Sequence, residues 1–404
     1  MNSRPVCIYV GGTNLGQGGA ERTHTIGIVS YFATLADVIF IGGYSTPECP
    51  PLGISFGSQH IFRVKAGFAA MVRFENRVVS TIKSLLPTLD ASGKVFVYSR
   101  HRITSFISQR RIQKMGLPYF LEYNDIASVQ FDWGIRYRLW PSLGCAIRGS
   151  AIFRALLKKS EIYSFANANG VVAITSPIEN HIRSIAPSSN VATVGNGCDT
   201  KKIVPRDRIE CRRLLGLDER GFYFCHIGTL TCWDGLIEAL SDWQYVTDKR
   251  CHLLIVGSGH VEHQLKEIQK TRNLCNVIFA GQRSHEEALT FLGASDVGLL
   301  LKTIDSYGLS PIKLYEYLSA GKPVLTTNIP DIDVVAKIGA GMVLPIPLQK
   351  GDISSAILKL AGLPEKKLLD MGNNARRTAC EQFDWTRRGS KIWKLIAESM
   401  EETP

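Results

Sequence analysis

The chain has 404 residues, too many for one hydrophobic core and enough for two domains of about 200 residues each. An apolar share of 45% with 21% charged residues excludes a disordered chain, and no run approaches the 18 or so apolar residues of a membrane-spanning helix. The net charge of +11 is unevenly shared: residues 1–200 hold 20 Lys and Arg against 11 Asp and Glu, a balance of +9, while residues 201–404 hold 27 against 25, a balance of +2.

MNSRPVCIYVGG opens almost directly into a strand, without the basic and apolar leader of a secretory signal, so a cytoplasmic chain is expected. The ten cysteines are scattered without a CxxC, as small buried hydrophobes in a reducing compartment would be, and no metal-ligand spacing is present. In chain order the β-branched runs are VCIYVGG, ADVIFIGG, KVFVYS, PYFLEY, GVVAITS and NVATVGN, then FYFCHIG, CHLLIVGSG, NVIFAG, DVGLLLK and KPVLTTN. Helix-length segments separate them, which predicts parallel sheets with helices on both faces. The series runs twice, so two doubly wound, Rossmann-like domains are expected: residues 1–198 and residues 199–382. The amphipathic helix at 383–404 is expected to join the first. Such domains bind ligands beyond the carboxyl ends of their strands, and a cleft between the two would add a second wall.

Two basic stretches, residues 63–83 and 136–159, mix Arg and Lys with aromatic and aliphatic residues. Either an anionic membrane surface or an ordinary solvated helix face accounts for them. No nucleic-acid motif accompanies the charge, which argues against nucleic acid as a partner.

The stretch GLSPIKLYEYLSAGKPV, residues 308–324, places Lys313 and Glu316 among Ile312, Leu314, Tyr315 and Leu318. DVGLLLK ends near Lys302, and Ser310-Pro311 then predicts an N-cap with proline at the first helical position. Lys313, Glu316 and Ser310 would share one helix face. That face is either an ion pair on a wet surface or a ligand site, where the helix N-terminus and Lys313 hold a phosphate and Glu316 accepts from sugar hydroxyls.

SPIKLYEYLSAGKPVLTTNIPD resembles the signature of family 4 glycosyltransferases of the GT-B fold, in a variant reading Ser-Pro-x-Lys-x-x-Glu-Tyr. GQGGAERTH, LEYND, VATVGNGCDT, IGTLTCWDGLIEAL, LIVGSG, FAGQRSHEE and ASDVGLLL follow the family's order over almost the whole chain. The resemblance implies two Rossmann-like domains facing a cleft, with a UDP- or GDP-sugar donor in the second domain and a saccharide or lipid-linked acceptor in the first. It also implies metal-independent hexosyl transfer with retention of configuration, and no cofactor beyond the donor. Glu316 matches the ribose-binding glutamate, and Gly281, Gln282 and Arg283 match the base-facing loop. Gly18 and Gly19 of the glycine loop, Thr229, and Leu309, Ser310 and Ile312 complete the donor-side candidates. Arg100, Glu122 and Asn124 lie on the acceptor side, and His101 is the histidine to consider as a base.

The chain also departs from the pattern. The glutamate expected eight residues before Glu316 is Gly308, which leaves Asp305 or the backbone at Leu309 and Ser310 for its role. Thr229 and Asp234 stand where an arginine and a lysine would clamp the diphosphate, so the cationic burden is expected on Lys313 and the helix N-terminus. These departures open an alternative, a catalytically impaired transferase-like binding or partner subunit. A sugar-nucleotide epimerase is a third reading. VGGTNLGQGGAE lacks the GxGxxG spacing of a dinucleotide site, and no GxSxG, Walker A or HExxH is present.

Overall fold

The computed structural model describes residues 4–13, 15, 19–46, 52–53, 57–65, 67–89, 94–126, 151–303 and 310–401. Two compact units emerge. The first comprises residues up to Asn196 together with Ser310 and the segment from Trp385; the second comprises Gly197–Ser306 and Pro311–Asp384.

The first unit is built on a parallel sheet in the order β3-β2-β1-β4-β5-β6-β7. Its strands are β1 (Val6–Val10), β2 (Asp37–Tyr44), β3 (Ser58–Arg63), β4 (Val95–Arg100), β5 (Tyr119–Tyr123), β6 (Gly170–Ala173) and β7 (Val191–Thr193). β1 pairs with β2 on one side and β4 on the other, so the strand order reverses at the β1/β4 boundary. Strand alternation sorts the side chains onto two faces. Ile8, Val97, Leu121 and Val171 pack with Phe74, Ile82, Ile112 and Phe165 of the helices Phe68–Leu85, Ser105–Gln113 and Ala151–Asn167. The opposite face is aromatic: Tyr9, Phe40, Tyr98 and Phe96 meet Phe32 of helix Ala20–Leu35 and Trp393 of helix Trp385–Glu401. These two helices approach closely at Gly27, where a Cβ would lie 2.3 Å from the Trp385 ring.

The second unit carries a six-stranded parallel sheet in the order β10-β9-β8-β11-β12-β13. Its strands are β8 (Phe222–Ile227), β9 (Cys251–Val256), β10 (Val277–Gly281), β11 (Val297–Leu300), β12 (Val324–Thr327) and β13 (Gly341–Leu344). The order reverses between β8 and β11. Runs such as LLIV in β9 are buried throughout, as a sheet covered on both faces requires. Below its amino edge, Asp296 accepts from the Tyr223 backbone N–H at 2.7 Å and pairs with the buried Arg212 at 2.6 Å. No helix among the described residues is long and apolar enough to cross a membrane.

Two strands were not anticipated from sequence. β3 and β13 lie at the outer edges of their sheets, and neither carries the buried run that marks the interior strands.

Candidate functional site

In the second unit, β8 ends at Ile227 and β11 at Leu300, and the loops beyond them bring three charges together. Asp234 is buried just ahead of the helix Leu236–Trp243. Its Oδ1 accepts from Lys302 Nζ at 2.5 Å and lies 3.5 Å from Lys313 Nζ. Its Oδ2 accepts from the Thr231 hydroxyl at 2.5 Å and the Thr231 N–H at 3.2 Å. Burial alone would raise the Asp234 pKa, but the two lysines outweigh it and hold the carboxyl below its ordinary range.

Lys313 belongs to the helix Ile312–Ser319, whose Leu314, Tyr315, Tyr317 and Leu318 are buried. Tyr317 accepts from the Ile227 N–H at 2.8 Å and so fixes this helix against the end of β8. Burial lowers the Lys313 pKa to about 8, with Asp234 opposing and Lys302 adding to the shift. Gly228, at φ 128°, makes room for the ammonium, since a Cβ there would stand 3.1 Å from Nζ. Beneath it, burial pushes the His226 pKa down to about 3, so this imidazole is neutral. One turn further along the helix, Glu316 Oε1 meets His285 Nε2 at 3.0 Å. That hydrogen bond raises the His285 pKa against the effect of burial.

Several expectations change here. Asp234 is no isolated negative charge facing the site: it is consumed by two cations, and Lys302, absent from the candidates, shares the cationic role given to Lys313. Ser310 is not the N-cap. Pro311 holds that position at φ −75° and ψ 117° without a side-chain cap. The oxygens of Ser310 serve Asn196 instead, the hydroxyl accepting from its N–H at 3.0 Å and the carbonyl from its Nδ2 at 2.6 Å. Arg283, still exposed, bends back along its own loop, donating to Ala280 O at 2.9 Å and lying 3.5 Å from Glu287. Gln282 accepts from Ser258 Oγ at 3.3 Å, and Thr229 is exposed in the turn after β8. The Ile312 side chain is buried, leaving only its backbone for a ligand. Gly18, Asp305, Gly308 and Leu309 lie outside the described residues, as does the 136–150 part of the second basic stretch.

The first unit holds a separate polar cluster at the carboxyl ends of β4 and β5. Glu122 is fully buried on the face covered by helix Ala20–Leu35. Its Oε2 accepts from Tyr98 OH at 2.7 Å and meets His24 Nε2 at 2.8 Å, and its Oε1 accepts from Asn124 Nδ2 at 2.9 Å. His24 Nδ1 lies 2.6 Å from Asn196 Oδ1. Burial acts to raise the Glu122 pKa, but His24, Arg100 and Tyr98 outweigh it and bring it down to about 2. Arg100 pairs in register with Glu122 across β4 and β5. Gly19 precedes the first helix at φ 137°.

Glu122, Asn124 and Arg100 therefore come together, and sequence reading missed their partners His24, Tyr98 and Asn196. The signal for His24 was its place in the first turns of the helix after the glycine loop. His101 does not join them. Its ring packs edge-on to Tyr123 at 4.7 Å, toward Phe165, and burial lowers its pKa to about 4. Among the described residues no group of His, Cys, Asp and Glu is placed to hold a metal ion.

Two Rossmann-like units, each with its polar residues beyond the carboxyl ends of a parallel sheet, define the GT-B fold of glycosyltransferases. Residues 207–378 match the family described as Glycosyl transferases group 1. Among curated proteins, the chain is 34% identical over 210 residues to a Bacillus subtilis (strain 168) protein provisionally named teichuronic acid biosynthesis glycosyltransferase TuaH. That match takes in 49% of this chain and 51% of the relative, so the chain spans about half the length of the curated relative it matches. Among solved structures, sucrose-phosphate synthase of Thermosynechococcus elongatus superposes with a TM-score of 0.73 at 15% identity, covering 99% of this chain and 100% of that one. Anabaena HepE in complex with UDP and glucose gives a TM-score of 0.70 at 15% identity, covering 97% and 99%.

Proposed function

We propose that this chain is a retaining, metal-independent glycosyltransferase of family 4. It would move a hexosyl group from a UDP- or GDP-sugar to a saccharide or lipid-linked acceptor in glycan or polysaccharide biosynthesis. The observation that carries the reading is the pair Lys302 and Lys313, gathered at the β8/β11 reversal of the sheet that matches Glycosyl transferases group 1. Ligands of open α/β sheets bind at such a point. Among the described residues, Lys302, Lys313 and Asp234 together sum to +1, suited to a diphosphate, and Glu316 stands one turn along as an acceptor for ribose hydroxyls. The UDP bound to HepE favours a uridine nucleotide as the first to test. Backbone groups at Gly281 and Gln282 would face the base, because the Arg283 guanidinium is engaged by Ala280 O and Glu287.

In transfer with retention, the leaving diphosphate can take the acceptor proton, and the protein supplies orientation and charge. The acceptor is assigned to the first unit, beside Arg100, Glu122 and Asn124. A neutral, packed His101 gives this mechanism no strong base.

The first unit also offers a surface for an anionic membrane, at which a peripheral enzyme would meet lipid-linked acceptors. Helix Phe68–Leu85 exposes Arg73, Arg77 and Lys83, and the helix packed on it exposes Arg110 and Arg111. The next, Ala151–Asn167, exposes Arg154, Lys158 and Lys159. The carboxylates of these three helices, Glu75 and Glu161, are buried, so no exposed acid on them offsets the basic groups. Phe68, Ile152 and Leu156 stand 61%, 76% and 61% exposed among these charges. Basic side chains interspersed with apolar ones suit an anionic leaflet, at about 1 kcal/mol per Lys or Arg near the surface.

Isothermal titration with UDP and GDP tests the donor site. Binding by the native chain that Lys313→Ala weakens at least tenfold is expected. No affinity for any nucleoside diphosphate would remove the reading. Binding without turnover of any donor would leave the alternative, a transferase-like partner subunit.

A further inference from the structure

The clamp in the second unit has the wrong residue in the middle of it: a carboxylate where the family resemblance leads one to expect a cation. We propose that Asp234 and Lys302 are positioning residues, and that together they hold the Lys313 ammonium directed at an incoming phosphate instead of collapsed into a neutral ion pair. The identity of that phosphate as a nucleotide's rests on the function proposed above; the arrangement of the three charges does not.

The geometry supports an ordered division of labour. Lys302 is the fixed member. Its backbone N–H donates to Thr327 Oγ1 and its carbonyl accepts from the same hydroxyl, both at 2.9 Å, which ties the end of β11 to β12. Its ammonium takes the short 2.5 Å bond to Oδ1 of Asp234, while Thr231 occupies Oδ2. Lys313 is left 3.5 Å from Oδ1, beyond the ~2.8 Å of a strong charge-assisted bond. Asp234 therefore anchors Lys313 without neutralising it, and Lys302, bonded to the same Oδ1, repels it.

An ion pair kept for structure alone balances its charges, because a buried unpaired charge is costly. Among the described residues, the three charges in contact carry one cation in excess, with its side chain only 18% exposed, while Glu316 on the same helix is taken up by His285 at 3.0 Å. A bound anion completes the set. Among the described residues, the groups facing Lys313 are Asp234 and Lys302 from the loops, the neutral His226 from β8 and Glu316 from its own helix. With Lys302 and burial against it, Lys313 loses its proton near pH 8 in the ligand-free protein. Its proton is restored by an arriving phosphate, so binding takes up a proton and weakens as pH rises through that value.

The test uses the full chain, with UDP as the probe, across pH 6.5 to 9.5. Lys302→Met, Lys302→Arg and the native chain are compared by titration calorimetry. Separately, without nucleotide, the Lys313 midpoint is read by NMR of 13C-dimethylated lysines, assigned with Lys313→Arg. Lys302→Met should let Asp234 and Lys313 close. The Lys313 midpoint then rises by about one pH unit, and UDP affinity at pH 7 falls about tenfold with the loss of one charge. Lys302→Arg should restore both. A Lys302→Met protein whose UDP affinity falls while the Lys313 midpoint stays put would overturn the proposal, since Lys302 would then act by direct contact. So would a protein in which neither quantity changes. A shifted Lys313 midpoint in a chain that binds no nucleotide would uphold the positioning triad and sink the donor assignment instead.

Discussion

Glu122→Gln separates charge from shape at the centre of the first unit, because the amide keeps the volume of the carboxylate and loses its ionisation. The side chain is fully buried, and its pKa of about 2 lies below the ordinary 4.5. A carboxyl with a depressed folded-state pKa adds stability above its unfolded pKa, and that stability is lost as pH falls through the folded value. The difference of roughly 2.5 units corresponds to about 3 kcal/mol at pH 7, falling to about 1 kcal/mol at pH 3. Urea unfolding of the native and Glu122→Gln proteins, followed at both pH values, measures it. Trp385 is a local reporter, 5.4 Å from the His24 ring. The gap in unfolding free energy should be about 3 kcal/mol at pH 7 and should close by more than half at pH 3. Titrating groups remote from residue 122 cancel in the difference between the two proteins. A gap that stays constant with pH would refute the reasoning, because the loss would then come from packing and not from the paired charge.

Gly228→Ala should weaken UDP binding and destabilise the second unit by ~1–2 kcal/mol, because the residue sits at φ 128° with Lys313 Nζ 3.1 Å from the added carbon; calorimetry and urea unfolding read the two effects. His101→Gln should leave turnover within about threefold of native across pH 6 to 8, since an imidazole neutral above about pH 4 changes no charge in that range; a hundredfold loss in rate would restore it as a base. Reversing Arg73, Arg77 and Arg110 to Glu should abolish flotation with phosphatidylglycerol-containing liposomes, and native protein that floats equally with neutral lipid would remove the membrane surface.

Interior strands were legible in the sequence because a parallel sheet buried on both faces writes itself as an apolar run, as in LLIV of β9 or VGLL of β11. β3 and β13 escaped because an edge strand needs no such run: SQHIFR is largely half-buried or exposed, and GMVL is fully buried only at Leu344. The helix of Lys313 and Glu316 was legible for the converse reason, two charges among buried neighbours. Partners distant in the chain were not. His24 and Glu122 lie 98 residues apart, and Lys302 and Asp234 lie 68 apart. Nothing local marks either pair, because only the order of strands and helices in the fold brings them together. Ser310 shows the same limit: its short-range pattern is that of a cap, yet Asn196, 114 residues away, holds its hydroxyl.

The aromatic face of the first sheet has a consequence for how the protein is made. Tyr98 and Phe96 are closed over by Trp393 and Phe32, but helix Trp385–Glu401 leaves the ribosome after the whole of Gly197–Asp384. At 5–20 residues per second, those roughly 190 residues take about 10 to 40 s to synthesise. For that interval Phe96 and Phe32 lack the Trp393 ring that packs on them, while the second unit can already complete its sheet. Termination just before Trp385 would release a chain whose late-made unit is complete and whose early-made unit lacks the helix over Phe96, a natural substrate for chaperones.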